Sequence, residues 1–244
     1  MRFQIRVVLW GLLLWTAPAG AADKLVASSG SQRVQLIELY SSESCSSCPP
    51  ADAFVSTLQK KKGLWQDFVP VVFHVDYWNN LGWKDGLSSS LMTKRQVELC
   101  KQAGASVYTP GLMVDGHEWQ EWRSTPDKLP SSPASSVKLS VFADADGSYR
   151  VQVSGLKDGK HYTVHLALLG MGLESHIDGG ENSGRKLRHN FVILDWDGQP
   201  TSVKASDLHF TFKKSEQKTS RLAIATWIEE EGSLKPIQAT GGYL

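Results

Sequence analysis

The sequence predicts an α/β fold for its first half and an antiparallel, sandwich-like β-rich arrangement for its second, on three observations. From Val34 to about Arg123, apolar runs of strand length alternate with stretches of helical periodicity. Between Ser124 and Ser136 the composition turns to Ser, Thr and Pro. Beyond Val137, short apolar runs recur between turns such as Asp146-Gly147 and Asp158-Gly159. The expected organisation is a leader over residues 1–21, an α/β domain over 31–130 and a β-rich domain over 131–244.

Arg2 and Arg6, the apolar stretch Val7 to Trp15 and the small residues Ala19-Gly20-Ala21 form the pattern of a cleaved export signal. That stretch is shorter than the roughly 20 apolar residues that span a bilayer. No cysteine follows the cut, so lipid attachment is not indicated, and the mature chain is expected to be periplasmic or secreted with no membrane attachment. Cleavage removes two arginines and no acid, leaving 24 basic against 25 acidic side chains. Such a balance offers no electrostatic footprint for nucleic acid or anionic lipid, and both are excluded as partners. An apolar content of 41% supports a proper core.

Val34 to Tyr40 reads as the first strand. After Cys45-Ser46-Ser47-Cys48, Pro49 and Pro50 suit the first turn of a helix, whose N–H groups have no intrahelical acceptor. Ala51, Phe54, Val55 and Leu58 then fall on one helical face. Lys60, Lys61 and Lys62 suit its last turn, and Gly63 can end it. Phe68 to Val75 is a second strand, Leu91 to Ala103 a helix and Leu112 to Val114 a third strand; helical crossovers imply parallel pairing. Asp115-Gly116 signals a turn, with Glu118 to Arg123 as its antiparallel hairpin partner. Pro126, Pro130 and Pro133 preclude a long helix in the linker. The later strands are Val137 to Phe142, Tyr149 to Val153, Tyr162 to Leu169, Phe191 to Leu194, His209 to Phe212 and Leu222 to Ile228. Gly179 to Arg185 is glycine-rich but precedes a strand, so it reads as a hairpin loop and not as a phosphate cradle. Trp119, Trp122, Trp196 and Trp227 are assigned to the core.

Two thiols at a strand-to-helix turn stand where dithiol chemistry is usually run. The helix N-terminus would favour the anion of the nearer sulfur, so Cys45 is expected to be the exposed, acidic, attacking thiol and Cys48 the resolving one. Two other readings stay open. The pair could be a fixed disulfide in a non-catalytic binding module, or its thiolates could carry copper or zinc, with His74 or Cys100 assisting. Cys100 shares a helix face with Met92, Leu99 and Ala103 and reads as a small buried hydrophobe. Glu38 in the first strand, with His74 and Asp76 at the end of the second, are candidate proton relays to a thiol.

The run of strand, CxxC and helix, the later helix, and Tyr108-Thr109-Pro110 before the next strand resemble the thioredoxin superfamily. More narrowly, Glu38 to Asp52 (ELYSSESCSSCPPAD), His74-Val75-Asp76-Tyr77-Trp78, Leu81-Gly82-Trp83-Lys84-Asp85 and Val107-Tyr108-Thr109-Pro110 are similar to a secreted family catalogued as domain of unknown function 1223. The resemblance implies a thioredoxin-like domain, with a cis peptide at Pro110 facing the cysteines and Thr109 held so that its backbone pairs with an extended substrate. The segment Asp76 to Ser90 is surplus to the superfamily's spacing. Emerging on the same sheet edge as Cys45, it brings Tyr77, Trp78 and Trp83 over the sulfurs as substrate-binding residues. The resemblance speaks to the fold; the activity expected from the cysteine pair is thiol-disulfide exchange on protein or peptide substrates, with no bound organic cofactor or metal.

Overall fold

The computed structural model describes residues 23–30, 32–125, 128–129, 134–203 and 207–244. The expected export signal lies outside the described residues, as do Pro126, Pro130 and Pro133 of the expected linker. In chain order the elements are β1 (Lys24–Ser28), β2 (Gln35–Ser41), α1 (Pro49–Thr57), β3 (Phe68–His74), α2 (Ser90–Ala103), β4 (Gly111–Val114), β5 (His117–Glu118), β6 (Lys138–Ala143) and β7 (Tyr149–Ser154). There follow β8 (Tyr162–Met171), β9 (Leu173–His176), β10 (Lys186–His189), β11 (Val192–Thr201), β12 (Asp207–Phe210), β13 (Arg221–Glu230) and β14 (Pro236–Tyr243).

An eight-stranded sheet in the order β14-β13-β8-β11-β3-β2-β4-β5 runs through the molecule. Its parallel pairs are β2 with β3 and β3 with β11, the latter through Val72 and Val192. A second sheet, β1-β6-β7-β12, covers one face of β8 and β13, and β9 with β10 forms a separate hairpin. Alternation along β8 explains why both faces of that strand are dry. Val164 and Leu166 join Leu139, Val141, Val151 and Phe210 of the second sheet in one apolar cluster. Ala167, Leu169 and Met171 join β2, β3 and the helices in the other.

This architecture corrects the expected fold class. The protein is mostly β, with two α-helices among the described residues, and is not a thioredoxin-like α/β domain followed by a β-rich one. The physical reason is the free edge that β3 offers after only one parallel crossover. A row of unpaired backbone groups must be paired or covered, and β11, far along the chain, pairs with it, the Val72 N–H donating to the Phe191 carbonyl at 2.8 Å. Strands from both halves thereby share one sheet. The expected hairpin partner shortens to His117–Glu118, after which Gln120–Arg123 forms a 3₁₀ turn, and α1 ends at Thr57 with a further 3₁₀ turn over Leu58–Lys60. Among the described residues no helix is long and apolar enough to cross a membrane.

The two helices lie on opposite faces of β2. Glu38 and Tyr40 point one way, and Ser41 points the other, where its hydroxyl donates to Asp52 of α1 at 2.7 Å. On the first face Arg95 of α2 donates to Glu38 at 2.8 Å and to Glu229 at 2.6 Å, all three side chains being buried. The guanidinium also stands 5.3–5.7 Å from the ring centres of Phe73, Trp196 and Trp227. Trp196 Nε1 donates to His165 Nδ1 at 3.1 Å, so Nε2 carries that ring's proton and donates to Glu229 at 3.0 Å. Burial holds the His165 pKa down, in keeping with a neutral ring.

Candidate functional site

Because β2 and β3 are parallel, with Ser41 opposite His74, their C-terminal ends open on the same edge. The chain leaving β2 forms the loop Ser42 to Cys48 and enters α1, with Cys48 as its N-cap residue and Pro49 and Pro50 in the first turn. Cys45, Cys48 and Cys100 are all unbridged.

The Cys45 thiol is shifted down to about 6. The largest cause is the hydrogen bond from the Cys48 thiol, followed by burial, which opposes the shift, and then by the Ser47 and Thr109 hydroxyls. Ser47 Oγ lies 3.3 Å from Cys45 Sγ. Burial pushes Cys48 far up, and the neighbouring Cys45 anion adds to it. The first proton of the pair therefore leaves Cys45, and the helix end is not the reason. Pro49 and Pro50 carry no N–H, and the first-turn donors Ala51 N and Asp52 N both point to the Cys48 carbonyl, at 2.9 and 3.1 Å. Side-chain donors, with the Ser47 backbone N–H, do the work assigned to the helix end.

The Thr109–Pro110 peptide is cis, as the resemblance implied. Trp78 Nε1 donates to Thr109 Oγ1 at 2.8 Å, which leaves the threonine proton free to turn toward sulfur. Tyr77 donates to Gln96 at 3.2 Å, and its burial, with the nearby Cys45 anion, pushes its pKa to about 12. Trp83 Nε1 donates to Glu43 at 2.8 Å, and its carbonyl accepts from Ser44 Oγ. The structure thus brings Thr109, Tyr77 and Trp78 to the sulfurs and seats Trp83 against the loop that carries them. Glu38 is directed to the opposite sheet face, where burial raises its pKa against the pull of Arg95. Asp76 accepts from Thr93 at 2.6 Å and ties the end of β3 to α2. Neither acts on the sulfurs. Cys100 is buried, as its helix face predicts.

His74 is fully buried, and its Nδ1 lies 2.7 Å from Asp85, which also accepts the Glu43 backbone N–H. Beside it stand residues that the sequence reading missed. His189 Nδ1 is 3.3 Å from Asp52 Oδ1 and its Nε2 3.5 Å from Glu43 Oε1. Burial pulls the His189 pKa down, but the two carboxylates override it and raise it to about 10. The loop joining β9 to β10, correctly read as a hairpin connection, closes over the CxxC loop. Asn182 Nδ2 donates to the Glu43 and Cys45 carbonyls at 2.8 and 3.0 Å, and Glu181 accepts from Ser46 N at 3.0 Å. Cys45 is consequently 4% exposed, which corrects the expectation of an open nucleophile. Approach to it remains at Ser46 and Ser47, both exposed. The only sequence signal for these contacts was a polar, glycine-rich loop.

The family described as "Protein of unknown function (DUF1223)" matches residues 36–229. No curated protein matches this sequence. Among solved structures, protein AGR_C_4864 from Agrobacterium tumefaciens superposes with a TM-score of 0.59 at 20% identity, covering 86% of this chain and 93% of that one. HBP35 of Porphyromonas gingivalis superposes at 0.58 and 12% identity, covering 87% of this chain and 76% of that one. At these identities the likeness is one of fold.

Proposed function

This chain belongs to the DUF1223 family, and from that premise we propose that it exchanges thiols and disulfides with protein or peptide partners through Cys45 and Cys48. The observation that carries the proposal is the Cys45 thiol, shifted down to about 6 by three side-chain donors, next to a Cys48 thiol held protonated. In the reducing direction the Cys45 thiolate attacks one sulfur of a partner disulfide. That S–S bond breaks, the distal sulfur leaves as a thiolate with the bonding pair, and a mixed disulfide forms. Cys48 then gives its proton to the released thiolate and attacks Cys45 Sγ, expelling the partner's second sulfur. Two electrons have moved to the partner, and the protein holds a Cys45–Cys48 disulfide. The reverse sequence oxidises a partner dithiol. The proposal includes export, supported by the basic, apolar and small-residue pattern of residues 1–21; a mature N-terminus near Ala22 tests that part.

The test is alkylation of the reduced protein by iodoacetamide across pH 4 to 9, followed by peptide mapping. The expected result is modification at Cys45 with an inflection at about 6 and none at Cys48. Slow labelling of both residues with an inflection near the ordinary thiol value of about 8.5 overturns the proposal. The burial of both sulfurs favours one second reading, a fixed disulfide in a binding module. Its signature is a reduction potential below about −300 mV, with partner capture unchanged in Cys45→Ser.

A further inference from the structure

His74 Nε2, buried behind the cysteine loop, makes no hydrogen bond among the described residues, while the neighbouring His189 Nε2 and Glu43 Oε1 face each other as an ion pair at 3.5 Å. An unpaired buried polar atom is rare and costly, and one aimed at a cluster of further donors calls for an occupant. Asp52, His74 and His189 can each direct one ligand atom so that the three lie within 4.8 Å of one another, and all three residues are buried. The two imidazole rings meet edge to face with centres 5.0 Å apart.

The surroundings already orient these side chains as ligands. His74 Nδ1 is engaged by Asp85 at 2.7 Å, which fixes the tautomer with the proton on Nδ1 and leaves the Nε2 lone pair bare. Asp52 Oδ2 accepts the Ser41 proton, leaving Oδ1 hydrogen-bonded to His189 Nδ1 at 3.3 Å, a contact whose proton an arriving cation would displace. That spacing matches the edge of a coordination tetrahedron, about 3.3 Å for bonds of about 2.0 Å. His189 Nε2 then faces Glu43 Oε1 at 3.5 Å, and Trp83 holds the other oxygen of that carboxylate. Both histidines thus have a carboxylate at the ring nitrogen away from the cluster, the arrangement that raises ligand basicity around protein-bound metals.

We propose that Asp52, His74 and His189 form a three-ligand site for a first-row divalent cation of the Zn²⁺ class, with a fourth position open. Two imidazoles and one carboxylate suit that class and not Mg²⁺ or Ca²⁺, which take oxygen ligands. A cavity of about 380 Å³ between α1 and β10, lined by Pro49, Asp52, Ala53 and His189, reaches two of the three ligands and gives the open position its access. The proposal is independent of thiol exchange, since neither cysteine is a ligand.

The experiment uses the full chain, stripped with a chelator and titrated with Zn²⁺ by calorimetry and with Co²⁺ by absorption, in wild type and in a Cys45→Ser/Cys48→Ser variant. One equivalent of each metal is expected in both proteins, with no thiolate-to-cobalt charge-transfer band in the variant. His189→Gln should abolish stoichiometric binding, and Asp85→Asn, which touches no ion, should weaken it about 10- to 100-fold. Circular dichroism establishes that each variant is folded, and Asp52→Asn replaces any that is not. Absence of stoichiometric metal from the cysteine-free variant, or undiminished binding by folded His189→Gln and Asp52→Asn, overturns the site.

Discussion

Replacing Thr109 by valine conserves the shape of the side chain and deletes one of the donors aimed at Cys45. A hydrogen bond to a charged group contributes roughly 1.5–3 kcal/mol, and one pKa unit corresponds to about 1.4 kcal/mol. The stronger Cys48 and the Ser47 contacts remain, so the lower end of that range applies. The inflection in Cys45 alkylation should move up by about one unit. The substitution also strips the half-buried Trp78 Nε1 of its acceptor, at a cost of about 1 kcal/mol in urea unfolding. Thr109→Ser restores both the donor and the acceptor and should return the inflection to its original position. An unmoved inflection in folded Thr109→Val, or the same shift in the valine and serine variants, refutes the argument that Thr109 stabilises the thiolate.

The same shift makes stability depend on pH. A thiol whose folded pKa lies near 6 against an unfolded value near 8.5 contributes stability that is complete above about pH 8.5 and lost as pH falls through 6. The difference in urea midpoint between reduced wild type and Cys45→Ser should therefore widen from pH 5.5 to 8.5; a constant difference contradicts it. Arg95→Met should destabilise the fold by about 3–5 kcal/mol, because it strands the buried Glu38 and Glu229 carboxylates together. A loss below about 1 kcal/mol, read from urea unfolding, shows that those charges are relieved some other way. Asn182→Ala unpairs the Glu43 carbonyl, leaves the Cys45 carbonyl with the Cys48 N–H alone, and loosens the loop over the sulfur. It should lower stability by about 1–3 kcal/mol and speed modification of Cys45 by a bulky maleimide more than by iodoacetamide. Equal acceleration of the two reagents argues that the loop does not control access.

Much of this arrangement was legible in the sequence because it is local. The apolar runs that predict β2, β3, β8 and β13 bury both strand faces, and period and length suffice to find them. Pro49-Pro50 and the spacing of Ala51 and Val55 give α1 for the same reason. Other strands were hidden. β14 contains Gly241 and Gly242, whose missing side chains weaken a strand pattern, yet a Cβ on Gly241 would stand 2.5 Å from the Trp65 ring. Its glycine admits a close approach that no local pattern announces. β1, β9 and β10 are short edge or hairpin strands with mixed polarity, so alternation fails there too. The fold class was misjudged because pairing between Val72 and Val192 is set by an exposed edge seeking a partner, a tertiary event 120 residues in the making. His189 was missed on similar grounds: its significance comes from Asp52 and Glu43, which lie 137 and 146 positions earlier.

The buried ions on the far face of the sheet bear on the thiols through α2. Arg95 is held on both sides, by Glu38 from β2 and Glu229 from β13, so the rotation of α2 about its axis is fixed by charges contributed from both halves of the chain. The next residue, Gln96, uses that fixed position twice. Its Nε2 donates to the Tyr108 carbonyl at 2.7 Å, and its Oε1 accepts from the Tyr77 hydroxyl at 3.2 Å. Tyr108 immediately precedes the threonine that faces Cys45, and Tyr77 adjoins the tryptophan that orients that threonine. A buried ion network is commonly no more stabilising than apolar packing of the same volume, so its presence calls for a second reason. Here the reason is geometric: an apolar contact would let α2 slide or roll by an ångström, whereas a guanidinium bonded to two carboxylates has one orientation. Charge on one face of β2 thereby sets the position of the hydroxyl that acidifies the sulfur beyond the strand's end.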